Sequence, residues 1–159
     1  MTNVATHPEA ILRHPEDLPF VATGDGNLLQ LLNVDLANGV WTLRIKFAPG
    51  TTIQTHRHTG AVHAFTLAGR WYYLEYPNDV NTPGSYLFEP AGSVHTLHVP
   101  VDNTEATDVW FTIHGANLNM DADGNIVRVS DAHSTLARYR ELCAEQHDLA
   151  EPPVVVIGL

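Results

Sequence analysis

Apolar residues through the middle of the chain come in short runs, many alternating with polar ones, and glycine or proline interrupts them at close intervals. Period-two alternation puts successive side chains on opposite faces of an extended strand. The pattern predicts strands over 28–36, 40–47, 52–58, 62–67, 70–76, 85–89, 94–99, 109–115 and 125–129. Asn38-Gly39, Pro49-Gly50, Ala68-Gly69, Pro83-Gly84, Ala91-Gly92 and Asp123-Gly124 mark the turns between them. Many short strands with such punctuation describe an all-β sandwich or barrel. No long helical period intervenes, which disfavours a sheet wound with helices. One helix is predicted late: Ser130 or Asp131 caps it, and Leu136, Tyr139, Leu142 and Cys143 recur along one stripe. The organisation expected is an N-terminal arm over 1–17 with a helical turn near 9–12, a barrel over 18–130, and a helix with a tail over 131–159. The apolar run 154–157 behind Pro152-Pro153 needs cover, from the barrel edge or from a partner subunit.

Composition narrows the partners. The formal net charge is −10 with only eight Lys and Arg, so no nucleic-acid partner is expected, because binding phosphates needs positive charge. No run of 18 apolar residues exists, so no membrane span is expected. The start of the chain has neither a basic cluster nor an apolar stretch, and Cys143 is the one cysteine, which excludes an internal disulfide framework. These features point to a reducing, cytoplasmic setting.

The anomaly is ten histidines that form no tract. His56 and His58, one residue apart, would face the same side of a strand, and a third imidazole from a distant strand could close a metal site with them. They lie in Gly50-x5-His56-x-His58-x4-His63-x5-Gly69, and a second run reads Gly84-x5-Pro90-x-Gly92-x2-His95. These two runs resemble the paired motifs of the cupin superfamily. The resemblance implies a cupin jelly-roll β-barrel in which the His-x-His pair and His95 converge on a metal, with the glycines and proline setting sharp corners. Two positions depart from the pattern: His63 stands where the first motif usually carries Glu, and Val99 where the second often carries Asn.

The stretches Phe65–Tyr76, Gly84–Leu97 and Asp108–Asn117 further resemble the 2,4′-dihydroxyacetophenone dioxygenase family. That resemblance implies a non-haem Fe(II) dioxygenase that splits an aryl α-hydroxyketone with O2 into 4-hydroxybenzoate and formate. It also implies iron held by three histidines and a glutamate, here His56, His58, His95 and Glu75. Spacing alone is compatible with this: if the strand after Ala68-Gly69 forms a three-residue hairpin with the His63 strand, Glu75 sits opposite His63. Imidazole with one carboxylate suits Fe(II), and zinc or nickel would also fit. His63 is read either as a fourth ligand or as a pocket-wall group that hydrogen-bonds a ligand or Glu75; unligated, His63 or Glu75 could take the substrate proton. Trp71, Tyr73 and His114 are the candidate substrate-binding residues.

Around Thr59–Ala64 and Leu67–Gly69 the chain also resembles the zinc-binding cupin module of anti-sigma factors. The alternatives are therefore a zinc-binding sensor, or a lyase or isomerase on the same metal barrel. The remaining features have plain readings. His98 is structural, Cys143 packs in the helical stripe, and Asp121-x-Asp123-Gly124-Asn125 is a hairpin turn rather than a calcium loop, since the flanking helices and later Glu are missing. Small barrels expose strand edges that need capping, so a homodimer or homotetramer is expected.

Overall fold

The structure is a computed structural model and describes residues 9–158. Strands are numbered along the chain. The larger sheet runs β1 (Val21–Ala22), β2 (Leu28–Asp35), β3 (Val40–Phe47), β10 (Thr107–His114), β5 (Val62–Ala68), β7 (Tyr86–Glu89), with β13 (Val155–Ile157) added parallel to β2. The smaller sheet runs β12 (Ile126–Ser130), β11 (Asn117–Met120), β4 (His56–His58), β8 (Val94–His95), while β6 (Tyr72–Tyr73) and β9 (Leu97–His98) pair separately.

Alternation decides what each strand buries. Along β10, Val109, Phe111 and Ile113 point inward while Trp110 and His114 are exposed. Along β5, Val62, Ala64 and Thr66 are buried, and Phe65 and Leu67 face solvent. The inner side chains join Leu31, Trp41, Leu43 and Phe47 in one apolar core. Each such side chain taken from water contributes about 1.5–3 kcal/mol.

The late helix, α1 (Ala132–His147), begins with Asp131, whose side chain accepts from the Ser134 N–H while Ser134 reaches back to the Asp131 N–H. This reciprocal cap satisfies two of the donors that a helix start leaves open. Leu136, Tyr139, Leu142 and Cys143 form its buried stripe, as the spacing predicts. The helix docks on the first strands through polar contacts as well: the Tyr139 hydroxyl donates to Pro19 O (2.6 Å), and the Gln146 amide pairs with both the N–H and the C=O of Ala22. No helix of the described residues is long and apolar enough to cross a membrane.

Several expectations are corrected. No helical turn forms at 9–12; the chain turns at 15–17 instead. The segment 70–76 does not form a hairpin with β5. At Gly69 (φ +72°) the chain leaves the larger sheet, Trp71 bridges to Asn81, and the short strand Tyr72–Tyr73 pairs with His98 and Leu97. β5 takes β10 and β7 as its neighbours instead. The predicted strand 94–99 breaks at Thr96, whose hydroxyl bonds Thr55 and Glu75 rather than continuing a ladder face. β11 was not expected, because Asn117 and Asn119 make it polar; its inner face lines a cavity instead of the apolar core. The run at 154–157 finds its cover within the chain, with β13 laid on the edge of β2.

Candidate metal centre

The smaller sheet builds the centre from short pieces. On β4, His56 and His58 are buried and Arg57 between them is exposed, the outcome of alternation. β8 pairs with β4 so that His95 lies directly opposite His56. Opposed residues of an antiparallel pair share a face, so the three imidazoles meet. One nitrogen from each lies within 4.8 Å of the others. His56 Nε2 and His58 Nε2 are 3.1 Å apart. The corner Pro90-Ala-Gly92 carries the chain from β7 into β8, and the Gly92 N–H donates to His58 O at 2.7 Å.

A fourth group completes the ring, and it is Glu89. Its Oε2 lies 2.9 Å from His58 Nε2 and 3.3 Å from His95 Nε2, deep in the protein. Burial pushes its carboxyl upward, but the adjoining His58 and His95 imidazoles outweigh that and hold it below the ordinary carboxylate range. Its other oxygen accepts from the Tyr73 hydroxyl. Burial, and then the Glu89 charge, raise that hydroxyl well above its ordinary pKa, so Tyr73 remains a donor. The Tyr73 ring stacks on His95 with centroids 4.0 Å apart.

The donor set fits a divalent cation. His56 Nδ1 is 3.0 Å from Gln54 O. That contact takes the proton on Nδ1 and leaves the Nε2 lone pair facing inward, the usual way a ligating histidine is oriented. Burial lowers the His56 pKa to about 4, so the ring is neutral at pH 7, as a ligand must be. His95 Nε2 and Glu89 Oε2 are buried and make no hydrogen bond of good geometry despite their proximity. Donors about 3 Å apart suit a shared cation with bonds of about 2.1 Å. The three histidines are the group that could hold a metal, with the Glu89 carboxylate beside it.

Above the centre lies a cavity of about 470 Å³ whose wall includes His56, His58, Tyr73, Glu89, Leu43 and Phe111. Its volume falls in the range of small-molecule sites.

Of the residues predicted for the site, the structure brings His56, His58, His95 and Tyr73 together. Glu75 is elsewhere: it is exposed, and its two oxygens accept from the Thr96 N–H and hydroxyl, both at 2.9 Å. The reason is the missing hairpin, since β6 pairs away from β5. His63 and His114 point outward from β5 and β10; His63 Nδ1 meets the Tyr86 hydroxyl at 2.8 Å, and the two imidazole rings lie 6.1 Å apart on the outer face. Trp71 is fully buried in the core, donating to Thr66 Oγ1, and Tyr73 stands between it and the histidines. His98 bonds Thr52, Cys143 is buried, and Asp121 accepts from the Asp123 and Asn125 N–H groups in a hairpin turn, all as read from the sequence. Glu89 was missed because a Glu before proline reads as a strand end. Its signal was its register: it shares a face with Leu87 and lies opposite the buried Val62.

Comparisons agree with this geometry. The model of the ChrR cupin-like domain matches residues 8–117. A protein of unknown function with a cupin-like fold from Ralstonia eutropha JMP134 is 36% identical, with 96% of this chain and 94% of that one covered and a TM-score of 0.82. An RmlC-like cupin from the same organism is 22% identical over 95% of this chain and 96% of its own, with a TM-score of 0.86. An acetylacetone dioxygenase from Acinetobacter johnsonii is 17% identical over 86% and 94% respectively, with a TM-score of 0.72; these last two likenesses are of fold. No curated protein matches the chain in sequence. Two motifs, a jelly-roll arrangement of sheets around three buried histidines, and these matches lead to one statement: the chain belongs to the cupins, within the ChrR cupin-like domain family.

Proposed function

We propose that this cupin is a non-haem Fe(II) dioxygenase that cleaves the C–C bond of an aryl α-hydroxyketone such as 2,4′-dihydroxyacetophenone with O2, giving 4-hydroxybenzoate and formate in the cytoplasm. The observation that carries the reading is a three-histidine cluster with one buried carboxylate, opening on an apolar cavity large enough for a single-ring substrate. The fold shared with an acetylacetone dioxygenase supports it. Bound iron would supply Lewis acidity and oxygen activation. The chain's own residues do the rest. The Gln54 carbonyl fixes the His56 ring, and Tyr73 steadies Glu89 by donating to it. Leu43, Phe111 and Ile113 keep the cavity poor in water, which strengthens each polar contact inside it. Glu89, held ionised, is placed to accept a proton from a substrate hydroxyl, the role the sequence had suggested for Glu75 or His63.

The test is aerobic turnover of 2,4′-dihydroxyacetophenone after anaerobic Fe(II) loading, with oxygen and 4-hydroxybenzoate followed together. Equal amounts of oxygen consumed and acid formed are expected. No uptake by iron-loaded protein overturns the reading. The family match to the ChrR cupin-like domain favours one second reading, a zinc-binding sensor. Tight zinc retention with no turnover on either metal would select it. The exposed outer face of the larger sheet supports a homodimer or homotetramer.

A further inference from the structure

The inner face of the smaller sheet carries a row of side chains that extends past the histidines. His95 is opposite His56, His56 is opposite Asn119, and Asn119 is opposite Arg128. Residues opposed in this way share a face, so a row that begins on the metal centre ends on a guanidinium. Arg128 and His56 line the same cavity. A second row runs from His58 through Asn117 to Ser130, and Asn117 Oδ1 is buried without a hydrogen-bond partner.

Charge singles out Arg128. Arg44, Arg70, Arg138 and Arg140 each pair with a carboxylate. Arg13 bonds backbone carbonyls, and Lys46 lies over the Phe20 ring. Among the described residues this leaves Arg57 and Arg128 without a partner, and Arg57 faces away from the cavity. The carboxylates on the cavity wall are already engaged: Asp25 accepts from Thr23 and Asn27, and Glu89 faces the histidines. In a chain of net charge −10, an unneutralised guanidinium at a cavity wall is a site for an external anion, and its planar fork matches a carboxylate. Two strand spacings of about 4.8 Å separate the His56 and Arg128 backbones, roughly 10 Å in all. One ring with a polar group at each end bridges such a gap.

We infer that Arg128 is a specificity residue that binds a carboxylate at the far end of the substrate while the carbonyl end faces the histidines. The preferred substrates are then aryl ketones bearing an acid group opposite the ketone. This rests on the cavity being the substrate site, but not on the oxygenase reaction.

The probes are 4-acetylbenzoate and its neutral isostere 4-acetylbenzamide, titrated calorimetrically into zinc-loaded protein, since zinc has no redox chemistry to drive an oxygen reaction. The carboxylate is expected to bind at least tenfold more tightly than the amide. Arg128→Leu should abolish that preference while changing the amide affinity less than twofold, and Arg128→Lys should keep part of it. A thermal melt confirms that each variant is folded; Arg128 is exposed on an edge strand, so folding is not at stake. A preference unchanged in Arg128→Leu, no preference in the parent protein, or no binding of either probe overturns the inference. Failure of the dioxygenase reading shows separately, as absent oxygen uptake by iron-loaded protein with the carboxylate preference intact.

Discussion

Two carboxylates near the histidines have opposite surroundings, and opposite effects on metal retention are expected of them. Glu89 is buried against His58 and His95, whereas Glu75 stands at the surface on Thr96. A group that orients or neutralises ligating histidines typically changes metal affinity or activity 10–100-fold when altered. Glu89→Gln is therefore expected to weaken retention of a loaded divalent metal on dialysis against a chelator by about that factor. Glu75→Gln should leave retention unchanged and cost no more than about 1 kcal/mol of stability, since exposed polar pairs contribute little. Equal retention in the two variants would contradict the assignment. The His56 and His58 pair was legible because strand alternation is local, and His95 came from the resemblance of its Gly-x5-Pro-x-Gly-x2-His run to the second cupin motif. Which carboxylate joins them was not, because that depends on where β6 goes after Gly69, a tertiary choice that no spacing reports.

At the scale of elements, glycine corners place the strands that carry the site. A Cβ at Gly69 would collide with Thr107 Oγ1 and lie 2.7 Å from Thr107 Cα, at φ +72°. Gly92, in the corner between Glu89 and His95, has φ +85° with nothing within 4 Å of such a Cβ. Left-handed backbone costs a side chain about 1–2 kcal/mol by itself, and a clash with backbone adds to it. Gly69→Ala should thus destabilise by roughly 3 kcal/mol and Gly92→Ala by about 1–2 kcal/mol. Thermal melts of the two variants check this; an equal shift would mean that the Thr107 contact relaxes freely. These glycines were legible as turns, and most long strands followed from their apolar alternation. The polar β11 was not, and β6, β8 and β9 fall inside the longer strands predicted over 70–76 and 94–99, whose limits side-chain bonds such as Thr96 to Glu75 set.

For the whole molecule, the outer face of the larger sheet is the feature that an isolated barrel leaves unexplained. Trp110, Phe65 and Tyr86 stand in register across β10, β5 and β7, and Phe88 and Leu67 extend the patch; each is about half exposed. Aromatic side chains carry 150–250 Å² each, so these four and Leu67, about half exposed, present roughly 400–500 Å² of largely apolar surface. A standard interface hides about 800 Å² per partner, of which about 60% is apolar, close to this patch. The bidentate Arg44–Asp108 pair beside Trp110 neutralises two of the charges at that edge, which lowers the cost of covering it. A second copy of the chain is therefore the expected occupant. Light scattering behind a sizing column at about 10 μM should give the mass of a dimer or a multiple of it. Phe65→Lys combined with Tyr86→Lys places four like charges in a two-fold contact and should reduce the mass to that of one chain. Both side chains point to solvent, so the melting temperature extrapolated to low concentration should barely change. A parent protein that is monomeric at 100 μM, or a double variant that keeps its mass, would assign the aromatic face to something other than self-association. His63 and His114 also lie on this face, which explains why they are absent from the cavity: the contacts that would hold them belong to the exterior of the barrel.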